Sequence, residues 1–226
     1  MAEIHREETA AVPRVTPLAD PAALGLGAFA LTTFILSAHN AFGAKTVPLL
    51  AFLGYGLFYG GLGQFMAGMF EFRNRNIFGA TAFSTYGAFW MGLAAFVILV
   101  VAGKVPAADV PPSLAWILLA FLIFNTYMLL WSTRVNAAVF LVFLTLELTE
   151  LLLVIGNFNG DAAGKGFVQY GGYMGIITAI VAWYTSAATV VNNMGRKVLW
   201  VGNPLWAERA GAEAEMREPL GRREVT

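Results

Sequence analysis

The chain has 226 residues, of which 58% are hydrophobic and only 12% charged, with a mean hydropathy of +0.66. Ordinary soluble domains carry about 25% charged residues, so this composition belongs in a lipid bilayer. Zero formal net charge gives no basis for a nucleic-acid partner, and the absence of cysteine excludes disulfides, thiolate metal sites and a cysteine nucleophile.

Residues 1–18 form a polar tail carrying Glu3, Glu7 and Glu8. A secretory signal starts basic and turns apolar quickly, so the first apolar helix is expected to remain in the mature protein. Asp20 is a natural N-cap, and Pro21 suits the first helical position because its missing N–H has no intrahelical acceptor there. Gly25 and Gly27 then clear bulk from the opening turns. A spanning helix needs about 20 mostly apolar residues, and six segments meet or approach that: 22–40, 47–70, 81–101, 112–131, 137–155 and 170–191. Gly, Pro, Asn and charged residues punctuate the gaps.

Six spans predict an all-α integral membrane bundle of three hairpins, with both termini on one side. Basic residues orient it: Arg6, Arg14, Arg73, Arg75, Arg134, Arg196 and Lys197 gather on the terminal side, against Lys45, Lys104 and Lys165 opposite. The expectation is a multi-pass protein of the plasma (inner) membrane with cytoplasmic termini. Its parts are the tail 1–18, a transmembrane domain 19–195 and a cytoplasmic tail 196–226, whose distal Glu-, Arg- and Gly-rich part reads as solvated and disordered. Gly25 to Phe29 (GLGAF) and Gly79 to Phe83 (GATAF) both open helices that run away from the termini, a hint that the hairpins are related.

Enzymatic signatures are absent. There is no G-x-S-x-G, H-E-x-x-H or Walker loop, and the histidines are His5 and His39. Ser84 or Ser37 with His39 is the only crude hydrolase option. The last span lacks a lysine for a retinal Schiff base, and the paired Asn-Pro-Ala loops of an aquaporin are missing. No catalytic residue, metal site or cofactor is assigned.

Polar residues within the spans carry more information. The first span holds Thr32, Thr33 and Asn40; the second holds Tyr55, Tyr59 and Gln64; the third opens near Thr81, Ser84, Thr85 and Tyr86. Such hydroxyls and amides replace the hydration of a small anion without trapping it, and they equally serve as interhelical hydrogen bonds. With Asp20 and Leu24 at the mouth of the first helix, Thr32, Thr33, Asn40, Tyr59, Gln64, Thr81, Ser84 and Thr85 make the candidate substrate pathway. The fifth span contains Glu147 and Glu150. By analogy with Asp, each carries a penalty of about 2.5–3.5 kcal/mol at a bilayer centre, so neither faces lipid comfortably. Three residues apart, they share neighbouring parts of one face. They read either as a proton site beside a pathway or as a buried pair held by Tyr, Thr or a basic loop residue.

The segment Asp20-Pro21-Ala22-Ala23-Leu24-Gly25-Leu26-Gly27-Ala28-Phe29 resembles the N-P-A-P-L-G-L-x-x-F signature of the acetate uptake transporter family. Phe58-Tyr59-Gly60-Gly61-Leu62-Gly63-Gln64, Glu71-Phe72-Arg73-Asn74, the string from Gly79 to Trp90, and Ile155-Gly156-Asn157 extend the likeness over residues 19–195. The resemblance implies a six-helix protomer, assembled as a homohexamer, that passes acetate and related small carboxylates through a pore in each protomer by a channel-like or proton-coupled mechanism. It also implies a constriction of Phe, Tyr and Leu, here Phe29, Tyr86 and Leu146. At 1.5 Å per residue, Phe29 lies about 12 Å beyond Pro21, Tyr86 about 12 Å beyond Phe78 and Leu146 about 15 Å beyond Asn136. That common depth falls near the middle of a core about 30 Å thick. Two positions depart from the signature: Asp20 replaces a neutral Asn, and Ala23 replaces Pro. The alternative function is a membrane sensor or scaffold that binds acetate without conducting it.

Overall fold

The structure, a computed structural model, describes residues 19–206. The expectations for the tails, including Arg6, Arg14 and the distal C-terminal segment, concern residues outside that range. Helix α1 is Ala22–Phe42; α2 runs over 50–73; α3 is Ile77–Val101; α4 is Val110–Ser132; α5 is Ala137–Asn159; and α6 is Gly166–Asn193. No strand occurs among the described residues. All six expected spans are present, and five are individually long and apolar enough to cross a membrane.

Local chemistry sets the helix ends. Asp20 accepts the Ala22 N–H at 2.9 Å, and Pro21 has α-helical angles. Asn76 accepts from Gly79 N–H at 3.1 Å to open α3, and Asn136 accepts from Val139 N–H at 2.9 Å to open α5. Each supplies an acceptor to a backbone donor that has no intrahelical partner. Gly160, with φ 73°, stops α5 in the left-handed conformation that favours glycine.

The second span is irregular. It joins α-helical Leu50–Leu57 to a π-helical turn, Phe58–Gly63, and to α-helical Gln64–Arg73. Glycine permits the close crossings here. A Cβ on Gly60 would collide with the Thr32 side chain, and one on Gly87 would press into the Phe65 backbone. Such small-residue contacts draw helices together where lipid gives no hydrophobic drive.

Around the bundle, α1 packs against α6 and α2, α6 against α5, α5 against α4, and α2 against α3, with a thin α3–α4 contact closing the ring. Gly172 of α6 sits so close to Ala41 of α1 that a Cβ would meet backbone. The packed chain extends past the expected boundary at 195. Asn192 binds the Val198 and Leu199 N–H groups, Ala138 N–H donates to Val201 O at 2.9 Å, and Leu205 N–H donates to Thr133 O at 2.8 Å. Residues 196–206 therefore fold back across the ends of α4, α5 and α6, because the helix termini there offer unpaired backbone groups.

Candidate functional site

Three helices running in the same direction bring Phe29, Tyr86 and Leu146 together in the core. Their side chains are 4%, 3% and 6% exposed and belong to one apolar cluster with Leu26, Phe83, Trp90 and Phe143. The Phe29 and Tyr86 rings meet edge to face, 5.8 Å apart at 65°. Phe89, Phe121 and Phe124 surround Tyr86 at 6.4, 5.9 and 5.4 Å. Edge-to-face packing suits the ring quadrupoles and holds each ring in place.

These three residues also border a cavity of about 300 Å³ that extends towards the bundle end opposite the chain termini. Thr33, Ser37, His39 and Asn40 of α1 line it, as do Trp90 and Leu93 of α3, Thr149 and Glu150 of α5, and Asp161 beyond α5. The result is a vestibule with mainly apolar walls and a floor of Phe29, Tyr86 and Leu146. Among the described residues, no lysine or arginine lines it.

A hydrogen-bond chain leads sideways from that floor. Tyr86 Oη donates to Asn125 Oδ1 at 2.9 Å and lies 3.5 Å from Glu150 Oε1. Asn125 Nδ2 donates to Phe143 O at 3.1 Å and to Glu147 Oε2 at 2.6 Å. Both of the latter partners are acceptors, so the amide nitrogen must face them and the amide oxygen is left for Tyr86. Thr126 Oγ1 completes the chain, 2.7 Å from Glu147 Oε1 and 2.8 Å from Leu122 O. The two glutamates thus divide. Glu147 is held between α4 and α5 by Asn125 and Thr126, while Glu150 borders the vestibule beside Tyr86.

The expected pathway residues are dispersed. Thr33 and Asn40 line the vestibule, whereas Leu24, Thr32, Tyr59, Gln64, Thr81, Ser84 and Thr85 do not. Thr32 is fully buried, gives its hydroxyl proton to Ala28 O at 2.8 Å and packs under Gly60, which makes it an interhelical spacer. Ser84 and Thr85 line a shallow groove with Phe65, Met69 and Ile117 on another face of α3, and the Ser84 hydroxyl sits 2.6 Å from Ala80 O. Asp20 lines an open polar basin at the terminal end with Asn136, Asn192 and Asn203. Leu24 is 44% exposed, and Gln64 is buried. A helix has several faces, and residue type alone does not report which one looks into a cavity.

Three further residues stand out that the sequence gives no site role, although Glu71 and Trp90 lie within the family motifs. Asn125 is fully buried at the hub of the chain just described, Trp90 lines the vestibule, and Glu71 is 1% exposed with Asn76 Nδ2 donating to its Oε2 at 3.0 Å. Trp90 carried a usable signal, since it stands one turn beyond Tyr86 on the same helix face.

The GPR1/FUN34/yaaH family profile matches residues 5–199. Acetate permease A of Emericella nidulans is 37% identical over 218 residues, covering 88% of this chain and 71% of that protein. The succinate-acetate/proton symporter SatP of Escherichia coli is 35% identical over 190 residues, covering 83% of this chain and 97% of that one. The solved structure of the bacterial acetate channel SatP superposes with a TM-score of 0.75 at 34% identity, over 82% of this chain and 99% of that one. The chain spans about two thirds of the length of the Saccharomyces cerevisiae relatives it matches, 66% of each.

Proposed function

The chain belongs to the GPR1/FUN34/yaaH family, and on that footing we propose that it carries acetate and related small carboxylates across the membrane through the middle of each protomer. The observation that supports this is the convergence of Phe29, Tyr86 and Leu146 on the floor of one vestibule. An apolar constriction resists wetting and so acts as a gate. Thr33 and Asn40 on one wall offer hydrogen bonds that are individually weak enough to release a carboxylate. The assembly is a homohexamer, by the resemblance of its sequence motifs. Large apolar side chains on the outer surface, such as Phe58, Trp116, Ile123 and Tyr170, suit contact with lipid or neighbouring protomers. The location is the plasma (inner) membrane with both termini cytoplasmic, which the uneven distribution of basic residues favours.

Labelled-acetate uptake into liposomes carrying the purified protein tests this reading. Saturable uptake well above that of protein-free liposomes is expected. Acetate binding without uptake or anion current would instead make the protein a membrane sensor or scaffold.

A further inference from the structure

We propose that Thr33, Trp90 and Glu150 form a carboxyl-binding ring directly above the constriction, in which Glu150 and the bound substrate share one proton. The inference rests on the transport reading above and adds the residues that hold the substrate and couple it to a proton. Each member stands four residues beyond one constriction residue: Thr33 beyond Phe29, Trp90 beyond Tyr86 and Glu150 beyond Leu146. Four residues return to the same helix face about 6 Å farther along. The apolar ring at the floor is therefore capped by a second, polar ring, and all three of its members line the vestibule.

All three are also buried with a polar atom that no group among the described residues satisfies: Thr33 Oγ1, Trp90 Nε1 and Glu150 Oε2, in residues each 4% exposed. Buried polar atoms are almost always paired. Thr32, one residue earlier, returns its hydroxyl to the α1 backbone, whereas Thr33 does not. The unspent groups comprise a hydroxyl, an indole N–H donor and a carboxyl oxygen.

A carboxylic acid with a short chain matches that set. One substrate oxygen accepts from Trp90 Nε1–H and the other from Thr33 Oγ1–H. The proton lies between a substrate oxygen and Glu150 Oε2. It arrives either on the substrate as its acid or on Glu150 from the vestibule water, and in both cases the complex holds one proton and one negative charge. A carboxyl–carboxylate hydrogen bond of this type is short and strong. Without that proton, two carboxylates would face each other in a desolvated pocket, an arrangement that is strongly disfavoured. Tyr86 of α3 faces Glu150, its Oη 3.5 Å from Oε1, and Glu147 stands three residues back on the same helix. Asn125 of α4 is bonded to Tyr86 and Glu147, and Thr178 of α6 to the neighbouring Thr149. His39 and Asp161 line the same cavity.

The test records external pH during acetate uptake into liposomes, for wild type, Glu150→Gln and Trp90→Phe, each first shown by gel filtration and thermal melting to be folded. Wild type is expected to take up about one proton with each acetate. Glu150→Gln keeps the shape of the side chain but has no exchangeable acid, so acetate moves down its own gradient with no accompanying proton and with no acid stimulation. Trp90→Phe removes one donor and raises the half-saturating acetate concentration about tenfold, while the proton ratio stays at the wild-type value. If Glu150→Gln conducts nothing, equilibrium binding of labelled acetate replaces flux: weak, pH-independent binding upholds the ring, and wild-type affinity and pH dependence overturn it. Unchanged proton uptake in Glu150→Gln, or unchanged half-saturation in Trp90→Phe, also overturns it. Failure of the wild type itself to move acetate would count against the transport reading.

Discussion

Replacing Leu146 with alanine is expected to raise acetate flux several-fold and to admit longer carboxylates, at a cost of about 2–5 kcal/mol in stability. Leu146 is 6% exposed and packs within the apolar cluster that contains Phe29, Tyr86 and Phe143. Its side chain is one of three that close the vestibule floor, so truncation both widens the gap and lowers the penalty for water to enter it. The opposite change, Leu146→Trp, adds bulk at a site already in contact and should reduce flux to the background of protein-free liposomes. Parallel uptake of labelled acetate and succinate checks both. An unaltered rate and substrate range in both variants would remove Leu146 from the gate.

The largest stability effect is expected at Asn125. Asn125→Ala strips a partner from Tyr86 Oη, Phe143 O and Glu147 Oε2 together. Leaving one buried polar group unpaired costs about 1–3 kcal/mol, and more when the group is charged. A combined loss of about 3–5 kcal/mol is expected, read as a large drop in melting temperature of the purified protein. Tyr86 loses its 2.9 Å hydrogen bond at the same time, so the ring at the constriction is less firmly held and acetate leak should rise. Thr126→Val, at the exposed end of the same chain, serves as the control and should cost about 1 kcal/mol or less. Equal melting temperatures for the two variants would show that Asn125 is not the hub.

Apolar run length and punctuation suffice to read the six spans, because lipid demands internally satisfied backbone over a fixed thickness. The π-helical turn at Phe58–Gly63 is not legible in the same way. Its glycines read only as part of the motif from Phe58 to Gln64, and the irregular ladder emerges only when Gly60 meets Thr32 and Gly61 meets Met91. Glu147 and Glu150 stood out as costly charges, yet their separate fates depended on α4 supplying Asn125 and Thr126 to one and leaving the other beside the vestibule. Asn125 itself gave little warning. Its partners are 39, 18 and 22 residues away in sequence, and a single amide within an apolar span carries no periodic signal. By residue type Thr32 and Ser84 read as pathway positions, but both spend their hydroxyls on the preceding turn of their own helix, as Ser and Thr commonly do in helices.

The natural absence of cysteine gives direct access to the central claim, that carboxylates pass between Phe29, Tyr86 and Leu146. In a Leu146→Cys variant, the introduced thiol is the only one in the protein and faces the vestibule floor. Treating liposomes that carry this variant with a small methanethiosulfonate reagent, while following labelled-acetate uptake, should abolish flux, and a reducing agent should restore it. Complete modification of the thiol, verified by mass spectrometry, with acetate flux unchanged would contradict the account.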